Sequence, residues 1–535
     1  MTQFVSLNEP VLSYAPDSRE RAEIRRALEF HAGHVAEIPL VIDGRRCSGA
    51  SMQSLHAPHD HARRIADVRQ AGPADVEAAI AAAVAAQHDW ASWPFEARAA
   101  VFLRAADLLA GPWRQRLNAA TMLGQSKTVF QAEIDSACEL IDFLRFNVEF
   151  ARDLMRIQPL SPAGVRNAID YRPLEGFVYA VTPFNFTAIA GNLPCAPALL
   201  GNTVVWKPAF TASLSNHLVM ELLEAAGLPP GVINFIPGPA AVVSEAVLAS
   251  PDLAGLHFTG STEVFDSLWQ RVARNLSGYR NYPRLVGETG GKDFVLAHRS
   301  ADCEALAVAL LRGAFEYQGQ KCSAASRAYI PASLWPKVKA RLLDDLATLK
   351  MGDVEDLSNF MGAVIDRKAF DRISGHIERA RVCGDRVIAG GQCDDSRGYF
   401  VAPTVIEVSD PQAVTMREEI FGPVLSVMVY PDSAWPDVLA LVDKTSPYAL
   451  TGAVFANERG AIEQASGRLR FSAGNFYLND KPTGAVVGQQ PFGGGRRSGT
   501  NDKAGSMFNL QRWVSPRTIK ETWVPASHYR YPHMQ

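Results

Sequence analysis

The sequence predicts an α/β protein with two doubly wound domains, because patterns typical of strands and of helices alternate through most of its 535 residues. Short apolar runs separated by helical segments fill residues 176–290, and the alternation resumes from Phe294 to about residue 490. Parallel sheets with helices on both faces produce this alternation. The chain is also longer than one hydrophobic core supports, so we expect two or three domains.

Residues before this region are predicted to be mainly helical. Apolar residues at helical spacing predict helices over 18–31, 73–90 and 133–150. A charge in such an apolar helix usually lies on its solvated face, which is one interpretation of Glu139. Residues 157–175, with prolines leading into an alternating run, instead indicate a β-excursion of the kind that often pairs with another subunit.

The first alternating region offers a site for a nucleotide-sized ligand. Its strand patterns lie at residues 177–181, 202–207, 232–236 and 255–261. Ligands of doubly wound sheets bind at the carboxyl ends of the strands. The GxGxxG fingerprint is absent, but Thr259, Gly260 and Ser261 end one strand and open a helix, where backbone N–H groups can bind a phosphate.

Composition excludes several classes of protein. A net charge of −3, a pI near 6.5 and 47% hydrophobic residues are typical of an ordinary soluble globular protein, so we expect neither nucleic acid nor a membrane surface as a partner. The seven cysteines are scattered, without a CxxC pair or a histidine at metal-ligand spacing. This pattern predicts free thiols in a reducing compartment and no metal site.

Targeting signals are also missing from the sequence. The opening ten residues lack a basic segment followed by an apolar one, and no apolar run of eighteen occurs. We therefore expect a bacterial cytoplasmic protein or, if a presequence has been removed, one from the mitochondrial matrix.

Cys322 is the candidate nucleophile. Lys321 precedes it and small residues follow it, which leaves room for a substrate beside the thiol. Most cysteines are simply small buried residues, so this residue needs support from elsewhere in the chain.

Five stretches in a fixed order supply that support. They are Thr182-Pro-Phe-Asn-Phe, Phe258-Thr-Gly-Ser, Gly287-Glu-Thr-Gly-Gly-Lys, Gly319-Gln-Lys-Cys and Glu418-Glu-Ile-Phe-Gly-Pro. Together they resemble the aldehyde dehydrogenase superfamily from about residue 60 to residue 515. Closer similarity is to the branch that oxidises L-glutamate γ-semialdehyde in proline degradation. This branch is indicated by Phe315-Glu-Tyr-Gln-Gly-Gln-Lys-Cys-Ser-Ala, Gly474-Asn-Phe-Tyr-Leu-Asn-Asp-Lys, Val487-Gly-Gln-Gln-Pro-Phe-Gly-Gly, Ser498-Gly-Thr-Asn-Asp-Lys and Asn8-Glu-Pro-Val-Leu.

The resemblance implies three catalytic residues. The Cys322 thiolate attacks the aldehyde, the Asn185 amide and the Cys322 backbone N–H hold the oxyanion, and Glu288 directs water onto the resulting thioester. A carboxylate suits the last step because it accepts a proton near neutral pH. The alternative interpretations are that Asn185 is an ordinary turn residue and that Glu288 is a solvated acid in a loop.

The resemblance also implies NAD as the cofactor. The cofactor residues would be Thr182, Phe184, Lys207, Gly260, Ser261, Thr262, Glu263, Val264, Glu419 and Phe421. Two positions depart from the family pattern. Phe210 stands where many relatives have an acid that binds the ribose 2′-hydroxyl, and Phe265 stands where many have glycine. The first departure weakens the choice of NAD over NADP.

For the substrate, the same resemblance implies a pocket around an amino-acid head group. Its residues would be Glu139, Phe186, Lys321, Ser323, Gly484, Ala485 and Phe492. Ser323 and the backbone N–H groups at Gly484 and Ala485 would bind the α-carboxylate, and Phe492 would cover the methylenes. Some relatives have serine at position 485, whose hydroxyl is lost here.

The implied architecture is an aldehyde dehydrogenase-like fold with a β-ribbon for oligomerisation. Residues 1–156 and 176–290 would form the NAD-binding domain, and 291–495 the catalytic domain. Residues 157–175 would form the ribbon. Residues 496–535 would form a tail, aromatic and without helical period at its end, lying on a partner in a homodimer or higher homo-oligomer.

Two other functions remain open from the sequence. A different semialdehyde dehydrogenase, such as one acting on succinate semialdehyde, would share the catalytic residues and differ in the substrate pocket. A non-catalytic protein that keeps the fold for packing is the second, although intact Cys322, Glu288 and Asn185 argue against it.

Overall fold

Two seven-stranded sheets dominate the computed structural model, which describes residues 6–535. Residues 1–5, part of the predicted first domain, lie outside the described residues. In order across the first sheet, the strands are Arg284–Glu288, Leu253–Thr259, Phe177–Val181, Thr203–Lys207, Ile233–Phe235, Leu40–Ile42 and Arg45–Cys47. The first five are parallel, and the last two are antiparallel additions.

The second sheet is parallel except at one edge. Its strands in order are Arg386–Ala389, Thr404–Val408, Val424–Tyr430, Ala325–Pro331, Asp293–Ala297, Thr451–Phe455 and Asn475–Leu478, of which the first is antiparallel. The alternating α/β class with two doubly wound sheets is therefore confirmed. We propose that the two sheets form the centres of the two predicted domains.

Helices cover both sheets. The α-helices are Arg19–Ala32, Pro73–Ser92, Phe95–Ala110, Arg114–Gln125, Val129–Ala132, Leu140–Met155, Thr187–Leu199, Ser213–Ala225, Ala240–Ala249, Thr262–Arg274, Cys303–Phe315, Trp335–Thr348, Arg367–Val382, Val414–Arg417, Trp435–Lys444, Arg459–Arg468 and Met507–Leu510. Several begin at a side chain that accepts a backbone N–H, as Ser261, Asp302 and Asp366 do.

Smaller strands complete the fold. Ala36–Ile38, Asp60–Gln70 and Ser51–Ala57 form a three-stranded sheet. Two-stranded pairs join Cys393–Asp394 with Phe400–Val401, and Tyr448–Ala449 with Gly495–Arg496.

The predicted regular helix over 133–150 is wrong in its first half. Glu133–Glu139 is a π-helix, and the α-helix runs from Leu140 to Met155. Glu133 and Asp135 are buried rather than solvated, because cations and backbone N–H groups surround them. The wider turn brings Glu139 to the wall of a cavity.

The β-excursion forms a two-stranded ribbon within the chain. Val165–Pro173 pairs in antiparallel register with Val514–Thr522. The tail, which was predicted only to lack a helical period, therefore contains a strand. The strand is not apparent in the sequence, because its charged residues and Pro516 interrupt the alternation of apolar and polar residues.

Three further observations concern chemistry. All seven cysteines are free thiols. Within residues 6–535, no three histidine, cysteine or acidic side chains gather as a metal site. Over the same range, no helix has the length and apolar character needed to cross a bilayer.

Candidate active site

The carboxyl ends of four neighbouring parallel strands bring candidate residues to one edge of the first sheet. Thr182 follows the strand at 177–181, and Lys207 ends the next strand. On the other side, Gly260 follows the strand at 253–259, and Glu288 ends its neighbour. Residues far apart in sequence therefore share one cleft.

This edge suits a dinucleotide. The helix Thr262–Arg274 begins there with Ser261 as its cap, so its positive end faces the cleft together with the predicted residues through Val264. The Lys207 ammonium donates to the Pro208 carbonyl at 3.1 Å and has further donors for a ribose hydroxyl. Burial lowers the pKa of Lys207 to about 8.

The two departures from the family pattern have local explanations. The Phe265 ring stacks on Phe258 with centroids 5.3 Å apart and points into the sheet rather than the cleft. Gly287 makes room for it, since a Cβ there would lie 2.2 Å from the Phe265 ring. Phe210 begins a short 3₁₀ turn and packs against the core of the first domain.

Residues from the second sheet close the other side of the cleft. The Phe421 and Phe184 rings meet edge to face with centroids 5.9 Å apart. Glu419 Oε1 accepts the Gly291 N–H at 2.8 Å, and burial raises the pKa of Glu419 to about 7. A Cβ at Gly290 would lie 2.4 Å from Glu419 Oε2, so a larger residue there would force this carboxyl to move.

The Cys322 thiol faces the Glu288 carboxylate. Its Sγ donates to Glu288 Oε1 across 3.3 Å. Burial raises the pKa of the Cys322 thiol well above its ordinary value, and the Glu288 charge adds to this rise. The resting thiol is therefore protonated, with a proton acceptor already in place.

A strained loop presents this thiol. Tyr317, Gln318 and Gly319 follow one another at φ values of 51°, 54° and 65°. The Gln318 amide stabilises the turn by donating to Ser126 O at 2.9 Å and Ala363 O at 2.7 Å. Consecutive left-handed residues are costly, and they concentrate at functional sites.

Glu288 is also poised for proton transfer. Burial raises its pKa to about 7, while the thiol hydrogen bond and the positive charge of Lys503 act in the opposite direction. Lys503 is held by the carbonyls of Gly474 and Gly493, both at 2.8 Å from its Nζ. A carboxyl that titrates near neutral pH is well matched to general base catalysis.

Asn185 lies beside the nucleophile loop. It is buried, and its Nδ2 donates to the carbonyl of Gln320 at 3.1 Å, two residues before Cys322. A primary amide has a second N–H, which remains for an oxyanion. Donors fixed before charge develops stabilise it most effectively.

A buried ion pair supports this region, and the sequence did not reveal it. Lys127 Nζ and Asp135 Oδ2 are 2.5 Å apart, and Asp135 also accepts the Thr187 N–H at 3.0 Å. The Lys127 ammonium lies 4.3 Å from the centroid of the Phe186 ring. Only the folded structure brings Lys127 and Asp135 beneath the Asn185–Phe186 segment.

A cavity of about 750 Å³ opens onto Cys322 and Glu288. All seven predicted substrate residues line it: Glu139, Phe186, Lys321, Ser323, Gly484, Ala485 and Phe492. Ser323 Oγ donates to Thr483 Oγ1 at 2.8 Å, which ties the nucleophile loop to the loop carrying Gly484. Thr483 was not predicted, because no motif singles it out.

The cavity wall is electrostatically uneven. Lys321 pairs with Glu316 at 3.0 Å, and Arg312 and Lys481 also act on this carboxylate. Burial favours the neutral acid, but these three cations outweigh it and lower the pKa of Glu316. At this part of the wall three cations therefore surround one carboxylate, which favours an anionic substrate group there.

A different environment surrounds Glu139. Burial raises its pKa well above the ordinary value, with Asp135 adding to the rise. Among the described residues its carboxyl makes no hydrogen bond, so it is available to a ligand.

A thiol that faces a carboxylate, beside a strand edge that suits a dinucleotide, is typical of a dinucleotide-dependent oxidoreductase. The chain belongs to the aldehyde dehydrogenase family, whose family model matches residues 47–519. It is 51% identical to "Delta-1-pyrroline-5-carboxylate dehydrogenase, mitochondrial" of Dictyostelium discoideum, covering 99% of this chain and 95% of the relative.

Two other relatives carry similar names. Delta-1-pyrroline-5-carboxylate dehydrogenase of Agaricus bisporus is 52% identical, over 98% of this chain and 96% of the relative. The crystal structure of the Mycobacterium tuberculosis Delta-pyrroline-5-carboxylate dehydrogenase bound with NAD is 58% identical and has a TM-score of 0.97. That match covers 100% of this chain and 99% of the other.

Proposed function

We propose that the chain oxidises L-glutamate γ-semialdehyde, the open form of Δ1-pyrroline-5-carboxylate, to L-glutamate with NAD. The observation that carries this proposal is one cavity with the Cys322–Glu288 pair and a cation-rich region around Ser323 and Thr483. Such a cavity suits an aldehyde that also carries a carboxylate. Relatives with this activity in their names match nearly the whole chain.

The first step is thiol attack on the aldehyde carbon. Cys322 Sγ forms the bond to carbon while its proton moves to Glu288 Oε1, its hydrogen-bond acceptor. The oxyanion that develops is held by the free N–H of Asn185 and the backbone N–H of Cys322. NAD, when bound, supplies the hydride acceptor.

For cofactor binding, we propose that Lys207 and the start of the helix at Thr262 hold the ribose and phosphates. Glu419 would bind the second ribose, and Phe421 and Phe184 would enclose the ring. Loss of hydride from the tetrahedral adduct leaves a thioester on Cys322. Glu288 first gives up the thiol proton to solvent and then takes a proton from water, whose oxygen bonds to the thioester carbon. The C–S bond breaks, the acid leaves, and the proton on Glu288 returns to Sγ.

We propose that residues lining the cavity bind the substrate. The backbone N–H groups of Gly484 and Ala485, with the Ser323 hydroxyl, would bind the carboxylate near Lys321, since all of them line the cavity. Glu139 is available to the amino group. The rings of Phe186 and Phe492 line the same cavity and would cover the methylenes.

An aldehyde panel tests the substrate. We expect the catalytic efficiency for L-glutamate γ-semialdehyde to exceed that for propanal by roughly 10²-fold or more, because propanal leaves the carboxylate donors unpaired. Succinate semialdehyde keeps a carboxylate but is shorter and lacks the amino group, so an intermediate value is expected. NADH absorbance measures each rate. Equal efficiency with succinate semialdehyde would overturn the substrate and leave the family unaffected.

The activity should depend on pH through Glu288. Because its pKa is about 7, the carboxyl is protonated in more acidic solution and cannot accept a proton from water. We expect kcat to be half-maximal near pH 7 and to fall about tenfold per unit below it. Lys503→Met removes a positive charge that favours the carboxylate, so its midpoint should move to higher pH. A kcat that stays constant from about pH 6 to about pH 8 would contradict this role.

For the assembly, we propose a homo-oligomer built through the ribbon. Beyond the strand Val514–Thr522, the tail exposes large apolar side chains, with Trp523 65% and Val524 83% exposed. A second copy of the chain is the partner that would cover them. For localisation, we propose the bacterial cytoplasm or the mitochondrial matrix, where the free thiols would remain reduced.

A further inference from the structure

The segment near the start of the described chain is fixed on the helices that wall the cavity. We call residues 8–14 the N-terminal strap. The Glu9 carboxylate pairs with Arg114 at 2.6 Å and with Arg145 at 2.7 Å. Its backbone N–H donates to Asp142 Oδ1 at 2.8 Å. These contacts hold the strap on the helices Arg114–Gln125 and Leu140–Met155.

One side chain of the strap reaches across the cavity mouth. Asn8 Nδ2 donates to Asp142 Oδ2 at 2.8 Å and to the Val487 carbonyl at 2.7 Å. Its Oδ1 accepts from Gln489 Nε2 at 2.9 Å. Asn8 therefore joins the helix that carries Asp142 to the loop that continues from Gly484, and both Asn8 and Gly484 line the cavity.

This loop has no regular secondary structure and is held by a few separate contacts. Residues 483–490 contain no strand or helix, and Gly484 and Gly488 both have positive φ. At its start the loop is tied by the bond between Ser323 and Thr483. Within it, the Gln490 side chain accepts the Val486 N–H at 2.9 Å. At the other end Val487 is buried in a hydrophobic core cluster. Asn8 supplies the side-chain hydrogen bonds that hold Val487 and Gln489.

We propose that Asn8 is a positioning residue that holds the 484–490 loop in the shape that receives the substrate carboxylate. The inference rests on the proposed function, because the loop is there assigned to the carboxylate. Backbone donors bind an anion well only when they are already oriented, since ordering a free loop opposes binding. Asn8 itself does not touch the reacting atoms.

Asn8→Ala tests this role by separating binding from chemistry. We expect the KM for L-glutamate γ-semialdehyde to rise about tenfold, as loss of one or two net hydrogen bonds implies. The kcat should change less than about twofold, and the KM for NAD and the efficiency with propanal should stay the same. A merely structural defect would instead lower the activity with both aldehydes.

Hydrogen exchange gives a readout that does not depend on the substrate. In Asn8→Ala without ligands, the amides of residues 483–490 should exchange about tenfold faster. If the substrate were wrong, this change would still appear, so failure of the proposed function and failure of this inference are distinguishable.

Two variants control the experiment. Gln489→Ala removes one contact from the loop side and should raise the same KM in the same direction, and it remains available if Asn8→Ala folds poorly. Tyr14→Phe loosens the strap elsewhere, since its hydroxyl donates to Glu133 at 2.7 Å, and should leave both KM values unchanged. Unchanged exchange in Asn8→Ala, or a loss shared equally by propanal, would overturn the inference.

Discussion

Cys322→Ala should abolish aldehyde oxidation, with a loss of roughly 10⁵-fold or more in kcat. Without Sγ the aldehyde carbon has no nucleophile beside it. The tetrahedral adduct from which hydride is transferred therefore cannot form. NAD should still bind with nearly wild-type affinity, because the proposed cofactor residues lie on other elements. Stopped-flow NADH absorbance and cofactor titration by fluorescence measure the two quantities.

A matched control comes from the same cavity. Cys138 also lines the cavity and is a free thiol, but it lies beside Arg114 rather than Glu288. Cys138→Ala should therefore retain most of the activity. Substantial turnover by Cys322→Ala would remove Cys322 from its role, whatever the control shows.

Glu288→Gln should produce the second-largest loss. The amide keeps the size of the side chain but cannot accept a proton, so steady-state turnover should fall roughly 10²–10⁴-fold. We expect one burst of NADH per active site, followed by a stall at the thioester. The burst should be slower than in the wild type, since Glu288 also accepts the thiol proton. Mass spectrometry of the quenched enzyme would detect the acyl group on Cys322.

Glu139→Gln is the corresponding control for this experiment. Its carboxyl lines the same cavity, but in the proposed mechanism it only binds substrate, so the effect should appear in KM without a stall. If Glu288→Gln lost burst amplitude and steady-state rate equally, Glu288 would act only before hydride transfer.

The alternating pattern of the chain determined the two doubly wound sheets, because strand and helix periodicity is a local property. Ordered motifs likewise identified Cys322, Glu288 and Asn185 as candidates through their resemblance to a family. The end of a strand pattern indicated Gly260, and the resemblance indicated Lys207. The structure brings both to one edge, since parallel neighbours end there.

Other features depended on contacts between distant residues. The π-helix Glu133–Glu139 carries charges that a sequence pattern assigns to solvent, and only their buried partners reverse that assignment. The strand Val514–Thr522 becomes visible through its pairing with Val165–Pro173.

The sequence by itself determined the fold class and the family, and it identified the candidate nucleophile and base. Tertiary structure alone decided that the pKa of the thiol is raised, that Glu288 titrates near neutral pH, and that Asn8 contacts a loop 479 residues away. The physical reason is that a residue type specifies which bonds and charges are available. Burial and the identity of the neighbours, which set the pKa and the geometry, exist only after the chain has folded.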